Sequence, residues 1–244
     1  MARIFITGSA DGLGLLAAKQ LIAEGNQVVL HARNKDRGRQ ALTQASSAEN
    51  VLIGDLSNIE ETKKLADDVN ALGKFDAVIH NAGVYQVSGQ LIFYVNTLAP
   101  YILTSLIERP KRLIYLSSGM HKQGKLNLDE LPTNINRISY SDSKLHVLML
   151  SKAVARKWPE VYSNAVDPGW VPTKMGGLGA PDDLQKGYET QAWLAVSKDV
   201  NALVTGHYFH HQRSDHYNRQ ADEVTLQEKF LKACKDITGV TFPK

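Results

Sequence analysis

Tyr140 and Lys144, in the run Tyr140-Ser141-Asp142-Ser143-Lys144, have the types and spacing for acid–base chemistry. The stretch 140–155 has almost no helix breaker and repeats Leu145, Leu148, Met149 and Val154 at helical spacing, so it predicts a helix. On a helix, positions i and i+4 share a face, and the two side chains point into one space. A free tyrosine, with a pKa of about 10, is a poor acid–base at neutral pH. A nearby cation favours the phenolate and lowers that value. Such a pair is one way to hold a proton donor and acceptor near working pH. A surface Tyr and Lys on an amphipathic helix share the same spacing, so the meaning rests on what the rest of the chain delivers beside them.

Taken in order, the chain alternates strand and helix. Residues 3–7 read as a short buried strand, followed by Thr7-Gly8-Ser9-Ala10-Asp11-Gly12-Leu13-Gly14 and a helix ending at Gly25. Strand, glycine turn and helix together make a phosphate cradle: glycines admit the backbone to a pyrophosphate, and the helix N-terminus offers free N–H groups. The spacing is Gly-x-x-x-Gly-x-Gly. A second strand, 27–32, ends at Arg33, with Lys35 and Arg37 close behind. In a nucleotide-binding sheet this turn meets the adenosine ribose. An arginine there suits a 2′-phosphate, so NADP(H) is favoured, with NAD(H) the alternative. Asp11 weighs against this preference if it lies near the same phosphate. Asp55 follows the third strand, 50–54, and is read either as a partner of adenine or as a turn residue before the next helix.

The fourth strand, 74–80, ends in Asn81-Ala82-Gly83, and the fifth, 111–116, delivers Ser117-Ser118. Between them 88–107 reads as a helix that carries Asn96, conspicuous among apolar neighbours, and Pro100, which marks a kink or the true start. A polar excursion, 119–138, precedes the Tyr140 helix. A sixth strand, 161–166, leads into Asp167-Pro168-Gly169-Trp170-Val171-Pro172-Thr173, and the Gly/Pro-rich 175–183 suits a mobile lid, with 175–186 as the substrate lid overall. A helix at 186–197, a seventh strand at 206–210 and a final amphipathic helix at 222–237 complete the chain. The pattern is α/β: one doubly wound, Rossmann-type domain over 1–244, about seven parallel strands with helices on both faces. Ligand sites then lie off the carboxyl ends of the strands.

Composition narrows the classes. A chain of 244 residues, 43% hydrophobic, fits one domain with a sizeable core. A net charge of +3 without a dense Lys/Arg patch argues against a nucleic-acid interface. The single Cys234 excludes a disulfide framework or Cys-rich zinc site, and His207, His210, His211 and His216 lack the spacing of a closed metal site, so no metal is expected. No run of 18 apolar residues suggests a membrane span, and cytoplasmic residence is the expectation.

With the glycine turn, Asn81-Ala82-Gly83, Asn96, Ser118, Tyr140, Lys144 and Pro168-Gly169 in this order, the chain resembles a short-chain dehydrogenase/reductase over residues 3–209. The 119–138 insert, the form Tyr-x-x-Ser-Lys-Leu and the helical tail look like the retinol-dehydrogenase-like branch, whose carbonyl and alcohol substrates are often lipophilic. The resemblance implies that Tyr140 passes a proton to or from the substrate oxygen. Lys144 lowers the Tyr140 pKa and holds the nicotinamide ribose, Ser118 binds the carbonyl oxygen, and Asn96 holds a relaying water. Thr7, Gly8, Gly12, Leu13 and Gly14 line the pyrophosphate, Asp55 and Leu56 flank adenine, and Asn81, Ala82 and Gly83 flank its ribose. Pro168, Gly169, Val171 and Thr173 orient the nicotinamide carboxamide. Two departures stand out. Asn81 and Asn96 are only 15 residues apart, so the helix between starts late and a standard tetramer is not expected; a monomer or homodimer is. His80 replaces the first Asn of the usual Asn-Asn-Ala-Gly, which loosens the ties of the central strand. Competing readings are a catalytically silent nucleotide-sensing regulator and a sugar-nucleotide epimerase or dehydratase. Retention of Ser118, Tyr140 and Lys144 together argues against the first, and the glycine spacing against the second.

Overall fold

Strands buried on both faces read as continuous apolar runs, and this chain spends its β-branched residues that way. In a computed structural model, which describes residues 1–243 apart from 130 and 132, β1 (Arg3–Ile6) sends Ile4 and Ile6 into one core and Phe5 into the other. β4 (Ala77–His80) splits Ala77 and Ile79 from Val78 in the same way. Glu130 and Pro132 of the 119–138 excursion, and Lys244, lie outside the described residues.

With β2 (Gln27–Ala32), β3 (Asn50–Ile53), β5 (Arg112–Leu116), β6 (Tyr162–Asp167), β7 (Tyr208–His210) and β8 (Arg213–Ser214), the sheet runs β3-β2-β1-β4-β5-β6-β7-β8. Seven strands are parallel; β8 is antiparallel to β7 and was not expected. The order reverses between β1 and β4, which opens a crevice at their carboxyl ends. α1 (Gly12–Ala23), α2 (Lys35–Gln44) and α7 (Leu184–Val196) cover one face. α3 (Ile59–Ala71), α4 (Gly89–Phe93), α5 (Ala99–Leu106), α6 (Tyr140–Lys157) and α8 (Val224–Thr238) cover the other.

Three departures from the sequence reading bear on the site. The 88–107 helix is not uniform: α4 runs into a π turn, Tyr94–Leu98, and then α5, with Ala99 N donating to Tyr94 O five residues back. Pro100 has no N–H for the carbonyl of Asn96 four residues earlier, so the regular ladder breaks where Asn96 sits. The 119–138 excursion is not simply polar: Leu126, Leu128, Leu131 and Ile138 are buried against the α6 side. Finally α7 starts at Leu184, capped by Asp183, so the irregular loop ends at 183 and the last residues of the expected lid are helical.

Candidate active site

The glycine turn fits a phosphate. Gly8 has φ +63, and a Cβ there would lie 2.8 Å from Ala82 Cα. Gly12 has φ +53, lines the cleft, and has open space where a Cβ would project. Gly14, at the first turn of α1, packs so closely that a Cβ would come within 2.4 Å of Asn81 Nδ2. Asn81 Nδ2 in turn donates to Thr7 O (3.0 Å) and Gly8 O (3.1 Å), and Ala82 N donates to Thr7 Oγ1 (3.1 Å). The end of β4 is therefore stitched to the turn despite His80. The His80 side chain bonds Thr104 Oγ1 (3.1 Å) and stacks on Tyr115, while its Nδ1 is buried without a hydrogen-bond partner among the described residues. His31 accepts from Gly8 N through Nδ1 (2.9 Å) and donates from Nε2 to Gly54 O (2.9 Å). Burial pushes it down to about 4, so it stays a neutral prop joining three strand ends.

The cleft bounded by these residues has a volume of about 650 Å³. Gly8, Asp11, Gly12 and Leu13 line its floor, with Arg33 and Arg37 at the β2 end. Asp55 and Leu56 lie beyond β3, and Asn81, Ala82 and Gly83 form the middle. Tyr140, Lys144, Pro168 and Thr173 close the far end. Open backbone at Gly12, a helix N-terminus and a cationic rim suit a dinucleotide. Asp55 Oδ1 accepts from Ser57 N (2.9 Å) and Ser57 Oγ (2.7 Å), the bonding of a turn residue. Thr7, Gly14 and Val171 stand behind the wall instead of in it. Thr7 is buried and bonds the β4 end, and Val171 is buried under Gly187 of α7. Gly169, at φ +79, forms the turn: its N–H donates to Asp167 Oδ1 (2.9 Å).

The four candidates for the chemistry converge. α6 begins with a capping box between Ser139 and Asp142, which fixes the first turn and hence Tyr140. Asp142 also accepts from Lys125 N (2.7 Å), pinning the excursion to that turn. The Ser118 hydroxyl lies near the Tyr140 phenol and favours its ionised form, while its Oγ accepts from Met120 N (3.3 Å). Lys144 Nζ is 5.3 Å from the centre of the Tyr140 ring and donates to Leu116 O (2.7 Å). Asn96 gives both Nδ2 protons away, to Val84 O and Ser143 Oγ (3.0 Å each), and accepts from Val84 N at Oδ1 (2.8 Å). Its remaining acceptor capacity is on Oδ1. Gly83 lets the two meet: a Cβ there would lie 3.4 Å from Lys144 Nζ and 3.5 Å from Asn96 Oδ1.

The electrostatics differ from what the Tyr-x-x-x-Lys spacing predicts. Burial pushes the Tyr140 phenol up, the charge of Asp167 adds to this, and the nearby Ser118 hydroxyl offsets only part. The phenol is held in its acid form. Burial pushes Lys144 down to about 8, against the pull of Asp167. Asp167 was missed as a site residue. It ends β6, next to Ser117 in the sheet, and Gly119 has no Cβ to keep its Oδ2 away (3.0 Å from that position). Its only sequence signal is an acid before Pro168-Gly169. His121 was missed too. Its Nδ1 donates to Ser118 O (2.6 Å) while Nε2 accepts from Asn218 N (3.1 Å), so a neutral ring clamps the serine backbone. The Tyr85 ring meets Tyr140 edge-on at 4.8 Å and walls the open side.

Comparison with known proteins agrees with this geometry. A short chain dehydrogenase family model matches residues 2–100, from the glycine turn to Asn96. An uncharacterised oxidoreductase of Emericella nidulans is 45% identical, the match covering 100% of this chain and 99% of that protein. The chain is a short-chain dehydrogenase/reductase. The short-chain dehydrogenase chyC of Penicillium rubens is 42% identical over the full length of both. Among solved structures, a blue fluorescent protein from a metagenomic library, in complex with NADPH, has the same fold: TM-score 0.71 at 17% identity, over 85% of this chain and 95% of that one. As a member of this family the chain is an oxidoreductase of small molecules. Among the described residues no group of three or more His, Cys, Asp or Glu side chains is placed to hold a metal ion; His210 and His211 instead stack at 3.8 Å. No helix of the described residues is long and apolar enough to cross a membrane.

Proposed function

We propose that the enzyme interconverts a carbonyl and an alcohol with NADP(H), Tyr140 serving as general acid in reduction and general base in oxidation. The observation that carries this reading is the meeting of Tyr140 and Lys144 at one end of the cleft, with the Ser118 hydroxyl near the phenol. The bound nicotinamide supplies the hydride. Ser118 holds the substrate oxygen and steadies the charge that develops there, and Tyr140 gives that oxygen its proton. Lys144 and Asn96 then restore the proton from the Gly83 side.

Arg33 and Arg37 at the β2 end support NADP(H) over NAD(H), as a guanidinium suits a 2′-phosphate. The NADPH complex of a protein with this fold is in keeping with that. Tyr85, Met120, Trp170 and Met175 leave large apolar surfaces exposed on the loops after β4, β5 and β6, which supports an apolar carbonyl substrate under a 175–183 lid. α6 is buried from Asp142 to Val154 by the chain's own α8 and excursion, which supports a monomer. The test is a panel of ketones and alcohols assayed with NADPH and NADH, on wild type and Tyr140→Phe. The variant should lose at least a thousandfold in kcat, on the order of a lost proton donor, and bind NADPH within about threefold of wild type. Retained turnover would remove Tyr140 from the chemistry.

A further inference from the structure

Asp11 is the acid that pairs with cations at the adenosine end of the cleft. Its Oδ1 caps α1 through Gly12 N (2.7 Å). Its Oδ2 takes two cations that reach it from separate parts of the fold: Arg37 Nη2 of α2 at 3.0 Å, and Lys174 Nζ of the loop after β6 at 2.5 Å. Asp11, Arg37, Lys174 and Arg33 all line the cleft. A carboxylate here would repel a 2′-phosphate and also occupy Arg37, one of the two guanidiniums suited to bind it. Lys174 relieves both effects. It cancels the charge of Asp11, and it is a second partner, so Arg37 can leave for a phosphate without stranding the carboxylate.

We propose that Lys174, reaching across from the loop after β6, is a specificity-determining residue for the cofactor: by holding Asp11 it frees Arg37 for the 2′-phosphate of NADP(H). This rests on the reading of NADP(H) given above. A cofactor without that phosphate has no use for the arrangement, so the effect falls on one cofactor and not the other. The pairs are partly exposed, with Lys174 at 78% and Asp11 at 40% side-chain accessibility. Exposed pairs of this kind act with a few-fold effect that salt weakens.

The test is a binding cycle that needs no turnover. NADPH and NADH are titrated by cofactor fluorescence against wild type, Lys174→Met, Asp11→Asn and the double variant; Asn keeps the helix cap. Lys174→Met should weaken NADPH about three- to fivefold, the range of an exposed charge pair, and leave NADH unchanged. Asp11→Asn in the Lys174→Met background should restore NADPH affinity, because no carboxylate remains to neutralise. Lys174→Arg should keep the preference. Equal weakening of both cofactors, or no recovery in the double variant, overturns the proposal. A wild type that prefers NADPH while Lys174→Met keeps the same ratio sinks this inference alone. A wild type with no preference for NADPH sinks the cofactor reading as well.

Discussion

Lys144 should be a residue that the enzyme keeps at the expense of stability. Its side chain is buried, 5% exposed, and among the described residues its ammonium makes one hydrogen bond, to Leu116 O at 2.7 Å. Burial moves it from 10.5 to about 8, and at about 1.4 kcal/mol per pKa unit the gap of about 2.5 amounts to about 3.5 kcal/mol. The sign follows from proton counts. Below pH 8 folded and unfolded chains both carry the proton, and folding bears the full cost of burying a cation. Between pH 8 and 10.5 the unfolded chain binds more protons, so stability rises with pH across that window. Lys144→Met keeps the length and apolar bulk and removes the charge. It strands the Leu116 carbonyl, which costs about 1–2 kcal/mol. The net expectation is a variant without activity that is about 1.5–2.5 kcal/mol more stable at pH 7, or about 3–10 °C in Tm for a chain of this size. Denaturant and thermal melts of wild type and variant at pH 7, 8.5 and 10 decide it. The advantage should shrink as pH rises and turn into a small loss near pH 10. A variant less stable than wild type at pH 7, or a difference that ignores pH, would refute the claim that the lysine is held as a costly buried cation.

Asp167→Asn removes a charge that pushes both Tyr140 and Lys144 up. In the alcohol-oxidation direction, where the phenolate is the working form, the rising limb of the pH–rate profile should move to lower pH; an unmoved limb would show that Asp167 does not act on Tyr140. Gly14→Ala puts a Cβ 2.4 Å from Asn81 Nδ2 and 2.7 Å from Gly8 O, the latter a backbone atom that cannot swing aside. Overpacking of this kind costs about 1–3 kcal/mol, and cofactor titration should show at least tenfold weaker binding, since the strain falls on the turn itself; wild-type binding would mean that the helix has room to slide.

The strand–helix alternation was legible because buried parallel strands are written as apolar runs such as Val28-Val29-Leu30 and Ala77-Val78-Ile79. Helix limits came within a few residues wherever a cap or glycine marked them: Asn34 and Asn58 cap α2 and α3, and Gly25 at φ +82 follows α1. What local pattern does not carry was missed. β8 follows a two-residue turn at His211 (φ 47) and Gln212 (φ 61), a conformation usually announced by Asn-Gly. The leucines at 126, 128 and 131 have neither period, so their burial depends on α6 being beneath them. The π turn had half a signal in Pro100, which marks where the ladder must fail without saying how.

For the site, the pairing of Tyr140 with Lys144 on one helix face was legible and the sign of the electrostatics was not. Tyr140 and Lys144 four apart predict a lowered phenol pKa, a statement about two side chains in water. The fold brings in a third charge. β5 and β6 set Ser117 beside Asp167, and Gly119 leaves room for the carboxylate to approach. Desolvation then acts on tyrosine and lysine in opposite senses, raising the neutral acid and lowering the cation. The two titrations, close together in water, are driven apart in this buried space: the phenol keeps its proton while the lysine releases its own more readily. Asp11 makes the same point at the other end of the cleft. Read along the chain it opposes a phosphate, and only the folded contact with Lys174, 163 residues away, turns it into a group that is already neutralised.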